Sequence, residues 1–278
     1  MSKTALVLEG GGLRGIFSSG VVDCLIDQGI VLDYAVGVSA GACNTFAYVA
    51  SRRGYGKACM SVGTGMDSYY GFPQVISSHR LVDLDKIFYE YTEKFHFSFE
   101  DFMNSPIRWE VVLSNLRTGQ AEYHTTRDIE RARLLGKASC SIPAMTSPVE
   151  IDGELYLDGG ICDSIPLQHA LDMGYDKVVV VLTRKKGNYS KVSDASLMLF
   201  KRLYGAYPNF LEAAKRRGDM YKEQVALCEQ LEKEGKIILI RPTMQEVGRL
   251  ESDENKLSMF YYHGYTKAKE YVAQIREW

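Results

Sequence analysis

Leu6-Val7-Leu8 is a short apolar run stopped by Gly10-Gly11-Gly12, after which apolar positions recur at helical spacing through Ile16, Val21, Val22, Leu25 and Ile26. This predicts a strand, a glycine loop and a helix that ends at Gly29. The unit then repeats, with an apolar run over Ile30–Val38 and a helix over Ala40–Arg52. Farther along, Trp109–Leu116 and Ala121–His124 read as strands joined by a turn at Arg117-Thr118-Gly119, and Asp128–Leu135 as a short helix. Val149-Glu150-Ile151 and Leu155-Tyr156-Leu157 flank Asp152-Gly153, a hairpin signature that delivers the chain to Asp158. The remainder predicts helices over Leu167–Met173, Phe210–Glu234 and Asn255–Trp278, with strands over Lys177–Thr183 and Lys236–Arg241. Strands alternating with helices predict an α/β layered fold.

One stretch breaks the pattern. From Met60 to Pro106 the sequence is aromatic-rich (Tyr69, Tyr70 and Phe72, then Phe88 through Phe102) and of mixed periodicity, so it reads as an insertion at about 60–106 on the core of a single domain spanning 1–278. A chain of 278 residues can bury one sizeable core.

Charge and cysteines remove several function classes. The 33 basic and 35 acidic side chains are well mixed and leave a net charge of -2, so no basic face draws nucleic acid. The six cysteines form no CxxC pair and several sit in apolar segments, which argues against a metal site or structural disulfides. The segment MSKTALVLEGGG lacks a secretory signal, so a cytoplasmic location is expected. The longest aliphatic run, Val178–Leu182, is far short of the roughly 20 residues that cross a bilayer, leaving only peripheral membrane contact.

Gly10-Gly11-Gly12-Leu13-Arg14-Gly15 satisfies G-x-G-x-x-G between a strand and a helix, and Asp33 lies near the spacing of a ribose-binding acid. A nucleotide-binding oxidoreductase is therefore one reading. A P-loop is not, because Gly-Lys-Ser/Thr is missing. The physical content of the loop is broader: glycines let backbone N–H groups converge at a helix N-terminus, where an oxyanion is stabilised as well as a phosphate. Arg14, a cation in the first turn, opposes the helix dipole and calls for an anion nearby.

Gly37-Val38-Ser39-Ala40-Gly41 is G-x-S-x-G between a predicted strand and a predicted helix, the setting of a nucleophile elbow. A serine nucleophile needs a base. The five histidines are poorly placed: His79, His96 and His124 precede Asp158, while His169 and His263 fall within helical stretches. Asp158-Gly159-Gly160, at the end of a predicted strand, supplies a carboxylate with room for close backbone approach.

Together, GGGLRG, GVSAG and DGG resemble the motifs of the patatin-like phospholipase family, and the resemblance extends to Ser141-Ile142-Pro143 and Ile165-Pro166. It implies a three-layer α/β/α fold with a mostly parallel central sheet. It also implies a serine acyl hydrolase of lipid esters with Ser39 as nucleophile and Asp158 as base. The backbone of Gly10, Gly11 and Gly12 would form the oxyanion hole, supported by Arg14. Gly15, Gly37, Gly41, Gly159 and Gly160 complete the motifs, and no metal or cofactor is required. A non-catalytic lipid-binding protein of the same fold is the other alternative. The headgroup, chain length and oligomeric state are not legible. Leu197, Met198, Leu199, Phe200, Lys201, Arg202, Leu203, Tyr204, Tyr207 and Phe210 juxtapose apolar and basic groups, which suggests a membrane-facing rim; a core helix with snorkelling cations is the competing reading.

Overall fold

The computed structural model describes residues 3–60, 82–95, 97–189 and 192–278. Strand β1 (Thr4–Leu8) leads through the glycine loop to α1 (Ile16–Asp27), β2 (Tyr34–Gly37) and α2 (Ala40–Val49). Helices α3 (Tyr55–Met60) and α4 (Phe99–Asn104) precede β3 (Arg108–Asn115), β4 (Ala121–His124) and α5 (Ile129–Ser139). A hairpin of β5 (Val149–Ile151) and β6 (Glu154–Asp158) turns at Asp152 and Gly153, both with positive φ as its tight connection demands. Then come α6 (Leu167–Asp172), β7 (Lys177–Val181), α7 (Asp194–Tyr204), α8 (Pro208–Lys233), β8 (Ile237–Ile240), α9 (Glu254–Lys269) and α10 (Val272–Arg276).

The strands form one sheet in the order β5-β6-β3-β2-β1-β7-β8, with β4 also on β3. The run β3-β2-β1-β7-β8 is parallel, and β4, β5 and β6 are antiparallel. The valine run of β7 follows from burial on both faces. Val178 and Val180 join Ala5, Val7 and Leu239 against α6 and α8, whereas Val179 and Val181 join Leu6, Leu8 and Ile240 on the face of α1, α2 and α9. The fold is therefore the three-layer α/β/α arrangement with a mostly parallel sheet.

Several boundaries move for physical reasons. The second strand is shorter than its apolar run because the Tyr48 hydroxyl donates to Ile30 O and accepts from Leu32 N, holding that stretch as a loop. The closing helix breaks at Glu270–Tyr271 into α9 and α10. Of the aromatic-rich stretch, residues 61–81 and 96 lie outside the described residues. Three of its rings belong to the core: Phe88, Phe97 and Phe102 are buried, and Phe97 stacks on Phe46 of α2 at 4.5 Å. Helix α9 packs on α1 through two glycines, since a Cβ at Gly20 or Gly264 would come within 2.0 Å of the Tyr261 or Phe17 carbonyl oxygen. The Tyr261 hydroxyl donates to buried Asp23 at 2.6 Å across this contact.

Candidate active site

The G-x-S-x-G turn is dictated by backbone crowding. A Cβ at Gly37 would lie 2.4 Å from Gly41 O, and one at Gly41 would lie 2.4 Å from Leu8 O. Between these glycines Ser39 adopts φ 55° and ψ -123°, a conformation that costs a non-glycine residue on the order of 1–3 kcal/mol. The strain puts the serine at the N-terminus of α2, nearly buried. Its N–H donates at 2.9 Å to the Ser139 hydroxyl, which itself donates at 2.9 Å to Val112 O, so a fully buried serine of α5 ties the turn to β3.

The glycine loop is anchored from behind. Buried Glu9 accepts from Thr183 N at 2.5 Å and from the Tyr221 hydroxyl at 2.8 Å. Gly12 has φ +59°, and Leu13 N donates to Arg249 O at 3.1 Å. A Cβ at Gly10 would sit 3.2 Å from that of Ser39, so the loop lies directly against the serine. Among the described residues no backbone acceptor faces the N–H of Gly10 or Gly11.

Asp158 ends β6, and its N–H donates to Ser141 O at 2.8 Å. Its carboxylate accepts from Gly160 N at 2.8 Å, and the Ser39 side chain is close enough to act on it as a hydrogen-bonding partner. Gly159 is required here because a Cβ would fall 2.1 Å from Val112 O. Enclosure by protein raises the Asp158 pKa above the ordinary aspartate value, while the Gly160 and Ser39 hydrogen bonds and the charges of Arg217 and Arg249 pull it down less strongly. The carboxyl remains half-buried because it opens onto a cavity.

That cavity has a volume of about 400 Å³ and is lined by Gly10, Gly11, Gly12, Ser39, Asp158 and Gly160. Leu13, Met60, Val82, Leu84, Ile87 and Met145 give it an apolar wall, with the thiols of Cys43, Cys59 and Cys140. Burial pushes the Cys59 thiol up, keeping it protonated. Ser193, Ser196, Arg217 and Arg249 give the lining a polar section.

Arg14 does not line the cavity. It sits behind the loop, buried, with its Nε unpaired among the described residues, and burial plus the charges of Arg184 and Arg249 push its pKa down to about 10. The arginines in the lining are Arg217 and Arg249, neither of which the sequence motifs single out. No histidine appears in the described lining. His169 Nε2 instead lies 2.6 Å from Glu110, its ring stacked on Tyr123, and His263 Nε2 accepts from Thr243 N. Asp33 also falls away from the loop. It precedes β2 and accepts from Thr4 N and Oγ1 at 2.8 Å, at the opposite end of the strands from Gly10–Gly12, whereas a ribose-binding acid would have to lie beside the loop.

A family model described as patatin-like phospholipase matches residues 6–64 and 74–171, more than half of the chain. The chain belongs to the patatin-like phospholipase family. A further model, described only as a domain of unknown function, matches 207–278. The patatin-like chain is 30% identical to the uncharacterised protein YjjU of Escherichia coli K12, over 65% of its own length and 52% of that protein. It is 26% identical to the lysophospholipase nte1 of Aspergillus terreus, over 99% of its length but 18% of the relative. It thus spans about half of one relative and under a fifth of the other. VipD from Legionella pneumophila aligns at a TM-score of 0.49 and 14% identity, over 98% of this chain and 67% of that one. No helix among the described residues is long and apolar enough to cross a membrane.

Proposed function

We propose that this patatin-like protein hydrolyses carboxylic esters of lipids, with Ser39 as nucleophile and Asp158 as its general base. The observation that carries the reading is the strained Ser39 turn facing a partly dehydrated Asp158 in an apolar cavity. Ser39 Oγ attacks the ester carbonyl as Asp158 accepts its proton; the tetrahedral species collapses, the proton passes to the departing alcohol, and an acyl-enzyme remains. Water then attacks that ester, giving its proton to Asp158, and the fatty acid leaves as the proton returns to Ser39. The N–H groups of Gly10, Gly11 and Gly12 stabilise the oxyanion, each donor contributing on the order of 3 kcal/mol. Arg14 supports that loop from behind, adding positive potential without touching the cavity.

Contact with lipid falls to α7. Ser193, Ser196 and Phe200 line the cavity, while Met198, Leu199 and Leu203 project into solvent, Met198 being 75% exposed, beside Lys201 and Arg202. A fluorophosphonate ester tests the chemistry. It should label Ser39 and no other serine, and Ser39→Ala should abolish both labelling and turnover of p-nitrophenyl butyrate while circular dichroism is unchanged. Near wild-type turnover by a folded Ser39→Ala protein defeats the mechanism.

A further inference from the structure

Arginines cluster around the cavity. Arg249 lies close enough to repel both Arg14 and Arg217, and Glu9 and Asp158 are acids that act on this group. Glu9 is already engaged by Thr183 and Tyr221. The Arg217 Nε donates at 2.5 Å to Gly160 O, a neutral carbonyl, and Arg14 Nε has no partner among the described residues. Burial first, and then the neighbouring Arg249 charge, push the Arg217 pKa down to about 10, the mark of a cation held where its charge is costly. Buried charge of this kind is stabilised by an ion of opposite sign.

The location identifies the ion. Arg217 (on α8) and Arg249 (in the loop after β8) both line the cavity that contains Ser39, and Arg249 O also braces the glycine loop through Leu13 N. Ser193 and Ser196, at the N-terminus of α7, line the same cavity. A terminus of that kind adds positive potential and hydroxyl donors. In the described lining the sole carboxylate is Asp158, the proposed base, so a quaternary ammonium would meet arginines and no free acid.

We propose that Arg217 and Arg249 form an oxyanion subsite beside Ser39 that selects lipid esters bearing a phosphomonoester near the scissile bond over phosphocholine or uncharged esters. This rests on the hydrolase reading and narrows it to a substrate class. Both arginines lie in the 207–278 segment, outside the stretch matched by the patatin-like model, so the selectivity belongs to that added segment.

The test compares kcat/KM for three soluble esters of one acyl chain: 1-hexanoylglycerol 3-phosphate, 1-hexanoylglycerol 3-phosphocholine and 1-hexanoylglycerol. The wild type should favour the phosphomonoester over each of the others by at least about tenfold, the effect of one charge-assisted contact, and Arg249→Gln should cut both ratios by a similar factor. Arg217→Gln should do the same. Should losing the Gly160 contact unfold that variant, Arg249→Gln, whose side chain lies exposed at the mouth, still decides. Equal kcat/KM for the three esters, or ratios unchanged in Arg249→Gln, overturns the subsite while fluorophosphonate labelling of Ser39 leaves the hydrolase reading standing. Absence of both labelling and hydrolysis overturns the hydrolase reading and the subsite with it. Competition against p-nitrophenyl butyrate separates two sources of phosphate: stronger inhibition by glycerol 3-phosphate than by inorganic phosphate supports headgroup recognition. Equal inhibition with no ester preference means a free-phosphate site and overturns the selectivity.

Discussion

A carboxyl that takes a proton from a serine works best when water does not hold its charge, and Asp158, the proposed base, is kept in that condition at the expense of the fold. Its pKa is raised in the native state, so the folded protein holds the proton more tightly than the unfolded chain does. No stability is lost below the unfolded carboxyl range; the penalty appears as pH rises through that range and is complete above the raised native value. Asp158→Asn should therefore lower kcat by about a thousandfold, as removal of a general base does, yet raise Tm by a few degrees at neutral pH. Calorimetry showing a lower Tm at neutral pH, or a kcat within tenfold of wild type, contradicts this. The acid limb of the wild-type kcat/KM profile should have its midpoint above 3.8, the ordinary aspartate value. At this scale the sequence was most informative. Gly37, Gly41 and Gly159 stand where backbone oxygens approach too closely for a side chain, and such a requirement leaves a motif. Arg217 and Arg249 leave none, because an arginine on a long helix or in a polar loop reads the same whether it meets water or a cavity. Ser139 was hidden for a like reason: its work is a pair of hydrogen bonds inside a helix.

At the scale of elements, hydrophobic spacing located strands and helices well but could not say which faces would be left uncovered. Helix α7 was the ambiguous case, and its two faces divide. Phe200 and Tyr204 pack with Phe210 and Ala214, whereas Met198, Leu199 and Leu203 remain exposed. Replacing Lys201 and Arg202 by glutamate, on that exposed side, should weaken sedimentation with anionic vesicles while p-nitrophenyl butyrate turnover persists. Equal binding by variant and wild type would leave α7 as ordinary surface. The α1–α9 contact permits a sharper test. Gly264→Ala places a methyl group against the Phe17 carbonyl and should destabilise the fold by about 1–3 kcal/mol, an overpacking penalty, read as a shift in the urea midpoint. An unchanged midpoint means the two helices part at little cost.

Over the whole molecule, the segment from 207 onward is built into the α/β core. Helix α8 supplies Tyr221, Val225 and Cys228 to one face of the sheet, β8 pairs with β7 at its edge, and α9 covers α1 on the other face. A chain ending at residue 206 should be insoluble or molten, as judged by near-UV circular dichroism; a soluble fragment that still takes the fluorophosphonate at Ser39 would contradict that. The alternation of strands and helices made the layered fold legible, but not this dependence, because a contact between distant segments has no local signature.

The tight glycine seam between α1 and α9 has a consequence in time. Asp23 and its partner Tyr261 are separated by 238 residues. A ribosome adding about 5–20 residues per second needs roughly 10–50 s to make that stretch. Throughout that interval the apolar side of α1 has been synthesised and its cover has not. The emerging polypeptide must be shielded by a holding chaperone or stay uncollapsed, so production at low chaperone supply should lose material to aggregation before the last helix leaves the exit tunnel.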